Sequence, residues 1–227
     1  MIEMLENKSS LQRKLQIKQH THRLITVVGA GGKTTLIYSL ALEFAEQGLK
    51  AAVTTTTHMF REGRFGFTPI GAGYEGEKIV GLSPEMPRKL LEVYDVVLVE
   101  ADGSKHLPLK VPAEHEPVLP EGADLVIGVA GAAAVGQTFR EACHRAELAC
   151  VSLGCEAEER ITEEHLMRIL TGAFGQKKGV ACEYRYVINL WNCPSEKVEQ
   201  ELGECMKRYE EIGAMLSLDP ELRSKKG

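Results

Sequence analysis

A glycine-rich turn set between two apolar runs of different period leaves few folds open to this chain. Residues 24–28 read Leu-Ile-Thr-Val-Val, a short β-branched run ended by glycine, as a buried parallel strand does. Gly29, Ala30, Gly31 and Gly32 follow. Over residues 33–47 the apolar side chains Leu36, Ile37, Leu40, Ala41, Phe44 and Ala45 then recur with helical period up to Gly48, a natural left-handed stop. Strand, glycine turn and helix in that order solve one physical problem, the holding of a polyphosphate. Glycines let backbone N–H groups curl around anionic oxygens without Cβ clashes, the helix N-terminus adds partial positive charge, and a lysine there reaches the outer phosphates. Gly29, Ala30, Gly31, Gly32, Lys33, Thr34 and Thr35 are therefore the expected nucleotide-binding loop, with Lys33 on the phosphates and the Thr34 hydroxyl on Mg²⁺. The usual eight-residue pattern would have glycine where this chain has Val27, so the loop starts later and tighter. Lys33 is expected to be an exposed loop residue whose removal abolishes nucleotide affinity and spares the fold.

The rest of the chain alternates strand and helix patterns. A strand over residues 50–53 runs into Thr54, Thr55, Thr56 and Thr57; residues 61–77 read as a long loop or a small β excursion; residues 84–93 have helical composition. The strongest apolar strand, residues 95–99, ends in Glu100-Ala101-Asp102-Gly103. After a proline-rich loop come a strand over 123–130, a helix capped by Thr162, a strand over 184–191, and a helix opened by Pro194. Val198, Leu202, Cys205, Tyr209 and Ile212 would form one apolar face of that last helix. Such alternation predicts an α/β fold of the P-loop NTPase-like kind, a mostly parallel sheet with helices on both faces. Residues 24–218 are expected to form a single domain, preceded by an N-terminal extension, residues 1–23, and followed by a frayed tail, residues 219–227.

Composition narrows the function. With 227 residues, 44% of them hydrophobic, one substantial core is available. A formal charge of -5 argues against nucleic acid as the main partner, because that binding needs concentrated basic charge. No stretch has the length of a membrane span, and the first 23 residues lack the apolar core of a secretory signal, so a cytoplasmic location is expected. The six cysteines contain no Cys-x-x-Cys pair and read as reduced, mostly buried thiols.

An acid at the carboxyl end of a buried strand beside such a loop can hold a magnesium-bound water, and either Glu100 or Asp102 could serve. Lys33, Glu100 and Asp102 are thus the candidate catalytic residues, and Thr34, Glu100 and Asp102 the candidate metal ligands. Thr54 to Thr57 offer either a further hydroxyl for metal or γ-phosphate or simply a polar strand end. Lys105, His106 and Lys110, just after the acids, are expected to rim the pocket, where an anionic small-molecule substrate could meet them. His58 and His115 have no partner at ligand spacing and are assigned no metal. The spacing of Cys143, Cys150 and Cys155 does not set them apart from core residues.

Three stretches, residues 28–35, 54–57 and 99–104, occur in an order and spacing that resembles the selenium-dependent hydroxylase accessory proteins, the YqeC family. The likeness continues through Pro108-Leu109-Lys110-Val111-Pro112 and Glu116-Pro117-Val118-Leu119-Pro120, and covers roughly residues 24–212. It implies a P-loop NTPase that helps mature molybdenum hydroxylases carrying a labile selenium ligand, with such a hydroxylase as client. The family tends towards an Asn-Lys-x-Asp-like end to the late strand, the guanine-reading motif, whereas this chain has Asn189-Leu190-Trp191-Asn192. Asparagine presents one acceptor oxygen where aspartate presents two, so both ATP and GTP stay open as ligands. A small-molecule kinase or ATP-dependent ligase would use the same parts, and so would a non-catalytic nucleotide-binding switch.

Overall fold

The computed structural model describes residues 10–103 and 105–219. Its centre is a six-stranded sheet in which every neighbouring pair runs parallel. The strands are β1 (Leu24–Gly29), β2 (Ala51–Thr55), β3 (Val96–Glu100), β4 (Leu125–Gly131), β5 (Glu183–Asn189) and β6 (Ile212–Leu216), in the spatial order β6-β5-β4-β1-β3-β2. The chain therefore builds outward from β1 to one side with β2 and β3, then crosses back to lay β4, β5 and β6 on the other. Ligands of open α/β sheets bind where strand order reverses in this way, outside the carboxyl ends of the strands.

Helices cover both faces, as the sequence pattern predicts. Alternate side chains of each strand point to opposite faces. Ile25, Val27, Ile127, Val129 and Val187 pack under α1 (Lys33–Glu46) through Leu36, Ile37, Leu40 and Phe44. Val28, Val126, Ala130, Tyr184, Tyr186 and Ile188 face the other way, onto Ala149 of α2 (Ala146–Leu153), Leu166 and Ile169 of α3 (Glu163–Thr171), and Leu202 of α4 (Glu196–Met206). Thr162 caps α3 in a capping box, its hydroxyl accepting from the His165 N–H, and Ser195 accepts from the Val198 N–H at the start of α4.

Several expectations shift. Residues 61–77 are, as expected, mostly loop, with one short strand, Gly73–Glu75, that pairs with Lys78–Val80, which also pairs with His58–Phe60; the other expectations move further. The helix expected over 84–93 shrinks to one turn, Met86–Lys89, and a 3₁₀ turn, Leu90–Glu92. Ile212 belongs to a sheet strand, not to the last helix, because α4 ends at Met206 and Gly213 lies flat against the Tyr186 ring, where a Cβ would overlap it. The helix α2 carried no signal that periodicity could separate from a buried run.

Within the N-terminal extension, the described residues from Ser10 onward lie on the domain. The Ser10 hydroxyl and the Leu11 N–H donate to the Glu43 carboxylate of α1 at 2.6 and 2.7 Å, and Leu15 is fully buried in the α1 cluster. The Leu15 carbonyl accepts from Arg185 Nε of β5 at 3.2 Å. Of the expected frayed tail, only Asp219 lies among the described residues. No helix among them is long and apolar enough to cross a membrane.

Candidate nucleotide site at the carboxyl edge of the sheet

The turn after β1 is built from backbone that only glycine tolerates. Gly29, Gly31 and Gly32 have φ of 100°, 72° and 136°. A Cβ on Gly31 would lie 2.6 Å from the Gly131 nitrogen and 2.7 Å from the Pro108 carbonyl oxygen, and one on Gly32 2.7 Å from the Asn189 amide nitrogen. The Ala30 N–H donates to the Val129 carbonyl at 2.9 Å, so the loop lies against the end of β4. Gly32 precedes α1 as its N-cap, and Lys33, Thr34 and Thr35 begin the helix, where first-turn N–H groups have no intrahelical acceptor.

Register brings the acids to this turn. Val27 of β1 pairs with Glu100 of β3, which places Glu100 two residues short of Gly29 on the neighbouring strand. The Thr34 hydroxyl donates to Glu100 Oε2 at 2.8 Å. A hydroxyl and a carboxylate are hard oxygen donors of the kind Mg²⁺ takes, with its other positions left to water and phosphate oxygens. The two residues fit that ion. Among the described residues no group of three or more His, Cys, Asp or Glu side chains could hold a metal by itself. Burial pushes the Glu100 carboxyl above its usual range, while Lys33 and the Thr34 hydroxyl pull it back.

Asp102 is used differently. It is fully buried, and its carboxylate accepts from the Gly29 N–H at 3.0 Å. Lys33, expected on the surface, is instead buried at 3% exposure: its ammonium donates to the Gly29 carbonyl at 2.7 Å and lies 3.3 Å from Asp102 Oδ1 and 3.8 Å from Glu100 Oε1. The lysine is folded back on its own loop because two carboxylates and a carbonyl meet there.

From Asp102 the ion pairs continue outward. Asp102 Oδ2 lies 3.1 Å from Lys110 Nζ, which lies 2.9 Å from Glu116 Oε2, which accepts from Arg145 Nη1 at 2.6 Å. Charges therefore alternate in sign from Glu100 to Arg145. Burial works to raise the Glu116 carboxyl, but the hydrogen bonds from Lys110 and Arg145 outweigh it and hold it at about 2. Lys110 does not rim a pocket: it is fully buried between Leu109 and Val111, which are buried too. Lys105 and His106 do stay exposed, and the His106 ring stacks on the half-exposed Phe60 of the β excursion at 6.3 Å.

The threonine run serves as a polar strand end. Thr54, Thr55 and Thr56 donate their hydroxyls to the carbonyls of Ile70, Glu100 and Val118 at 2.8, 2.7 and 2.6 Å. His58 lies 3.1 Å from Glu75, away from the acids, and His115 is exposed. All six cysteines are free thiols; Cys143, Cys150 and Cys205 are buried and the others half-buried. Three contributors escaped sequence reasoning: Glu116, Arg145 and the true role of Asn189. The last donates from its amide to the Gly31 carbonyl at 2.8 Å and accepts from the Trp191 and Leu218 N–H groups at 3.0 and 2.9 Å. For Lys110 a signal existed, a lone charge between two strongly apolar neighbours; for Arg145 there was none.

Comparison with known proteins supplies a family. The family model described as YqeC protein matches residues 25–147, a span that holds the glycine loop, Glu100, Asp102, Lys110, Glu116 and Arg145. The chain is 29% identical over 214 residues, 82% of its length and 84% of the relative's, to an Escherichia coli (strain K12) protein described as "Uncharacterized protein YqeC". No solved structure matches. The match over more than half the chain, a span that includes the loop and its acids, places the protein in the YqeC family.

Proposed function

We propose that this protein binds a nucleoside triphosphate with Mg²⁺ and hydrolyses it, acting as an accessory factor in the maturation of selenium-dependent molybdenum hydroxylases. One observation carries the nucleotide reading: a loop of left-handed glycines delivers Lys33 and Thr34 to the first turn of a helix, and Thr34 is hydrogen-bonded to an acid at the end of the adjacent strand. The first-turn N–H groups and the Lys33 ammonium would bind the phosphates, Lys33 by leaving the Gly29 carbonyl. Thr34 and Glu100 would open from each other to hold Mg²⁺. That ion, when bound, would neutralise charge on the β- and γ-phosphate oxygens. Asp102, tied to the Gly29 N–H, would fix the loop in register with β3. Exposed Lys105 and His106 remain available for an anionic second substrate. The accessory role rests on the family likeness, and the client would be the hydroxylase itself.

The test is calorimetric titration of ATP and GTP, with and without Mg²⁺, followed by phosphate release on the tighter ligand. Tight magnesium-dependent binding with slow release is expected. Lys33→Ala should lose affinity for both nucleotides, while Asp102 keeps Lys110 and the Gly29 N–H as partners in the variant. Thr34→Ala should lose the magnesium dependence. Unchanged ATP and GTP affinity in Lys33→Ala would end the P-loop reading.

A further inference from the structure

Lys33 has two sets of partners that it cannot satisfy together. Its ammonium now sits on the Gly29 carbonyl and beside Asp102, and to reach a phosphate it must leave both. Asp102 is fully buried, so the departure removes a counter-charge from a carboxylate that water does not reach. Stripping one partner from a buried ion pair is among the more damaging changes a protein can suffer, because the remaining charge is neither solvated nor paired. A site with Lys33 alone against Asp102 would therefore hold its lysine and bind phosphate poorly.

Lys110 meets this difficulty. Its ammonium lies 3.1 Å from Asp102 Oδ2, whereas Lys33 approaches Oδ1, so the two lysines address opposite oxygens of one carboxylate. Nothing that holds Lys110 depends on Lys33. Its ammonium donates to the Gly103 carbonyl at 2.6 Å and lies 2.9 Å from Glu116, which Arg145 anchors from the far side. Its backbone carbonyl accepts from the buried Gln176 amide at 2.5 Å.

We propose that Lys110 is a positioning residue for nucleotide binding, which keeps Asp102 paired when Lys33 leaves it and so frees Lys33 to exchange its internal partners for phosphate. This rests on the P-loop reading above. In free Lys110→Met protein, Asp102 still has Lys33 and Glu116 still has Arg145, so each acid retains one cation. In the nucleotide-bound form of that variant Asp102 has none. The penalty falls on the complex rather than on the fold.

The experiment is calorimetric titration of ATP and GTP, each with Mg²⁺, into the full-length wild type, Lys33→Ala, Lys110→Met and Asp102→Asn/Lys110→Met, with circular dichroism on each. Lys110→Met is expected to bind about 100-fold more weakly than wild type, the scale of baring a buried charge. Neutralising Asp102 in the same background should return affinity to within about tenfold of wild type, a rescue that a merely damaged fold would not show. A folded Lys110→Met that loses less than about tenfold overturns the inference, as does a double variant no tighter than Lys110→Met. If Lys110→Met does not fold, Lys110→Gln decides: it removes the same charge while keeping a polar end, should likewise lose about 100-fold, and a folded Lys110→Gln within about tenfold of wild type overturns the inference. Wild-type binding abolished in Lys33→Ala but untouched in Lys110→Met removes this inference alone. A wild type that binds neither nucleotide removes the P-loop reading and this inference with it.

Discussion

Replacing Asn189 by alanine should loosen the loop and the C-terminal end of the sheet together. The side chain sits at the carboxyl end of β5 with 5% exposure, and its amide serves three backbone groups: the Gly31 carbonyl, the Trp191 N–H and the Leu218 N–H. Alanine can replace none of these bonds. An unsatisfied buried donor or acceptor costs about 1–3 kcal/mol. The Leu218 N–H is buried and bears the full penalty, while the half-buried Gly31 and Trp191 groups recover part of theirs from water. The sum is about 2–4 kcal/mol, a large share of the roughly 5–15 kcal/mol that holds a domain folded. With a urea slope of about 2–3 kcal/mol per molar for a chain of this size, the unfolding midpoint should fall by about 1–2 M. Equilibrium urea denaturation followed by circular dichroism reads this directly. Asn189→Asp separates the contributions, since a carboxylate can keep both accepted bonds but can only oppose the Gly31 carbonyl. It should weaken nucleotide affinity even where stability is partly retained. A loss below about 0.5 kcal/mol in Asn189→Ala, with nucleotide affinity unchanged, would refute the account of Asn189 as the strut between loop and sheet.

Three further outcomes are expected. Gly31→Ala combines a left-handed φ of 72° with a Cβ driven against backbone atoms of Gly131 and Pro108, so it should cost upwards of about 1 kcal/mol in denaturation and abolish calorimetric nucleotide binding. Glu116 is held at about 2 against an ordinary 4.5, so its ionised form stabilises the fold fully above pH about 4.5, and that contribution is lost as pH falls towards 2. Denaturation of wild type and Glu116→Gln at pH 7, 4 and 3 should show the gap between them closing on acidification; a constant gap would contradict it. Thr162→Ala removes the cap from the His165 N–H and should cost about 1 kcal/mol in thermal or urea unfolding, with nucleotide affinity untouched.

The strand, loop and helix at residues 24–47 were legible because each rests on local chemistry: β-branched side chains, glycines at left-handed φ, and an apolar stripe of helical period. Glu100 was legible too, as an acid at the end of a run too apolar to be anything but a central strand. Neither the strand order nor the closure of Lys33 onto Asp102 could be read, since both depend on which strands become neighbours. The same holds for Arg145, which reaches Glu116 across 29 positions of sequence. Lys110 was misplaced on the rim because a lysine in a proline-rich loop is usually solvated; only an acid on each side makes its burial tolerable. Ile212 was misread because a strand of Ile-Gly-Ala-Met-Leu following a helix continues the helix's apolar spacing by chance.

The grip of Ser10 and Leu11 on Glu43 bears on where this protein can be cut. A truncation beginning at Leu24, where the sheet starts, would strip Leu15 out of the cluster beneath α1 and leave the Glu43 carboxylate without the donors it now holds. The shortened chain would present a fresh oily patch on α1, and its solubility would suffer. For preparative work a shortened chain should therefore retain Ser10, Leu11 and Leu15.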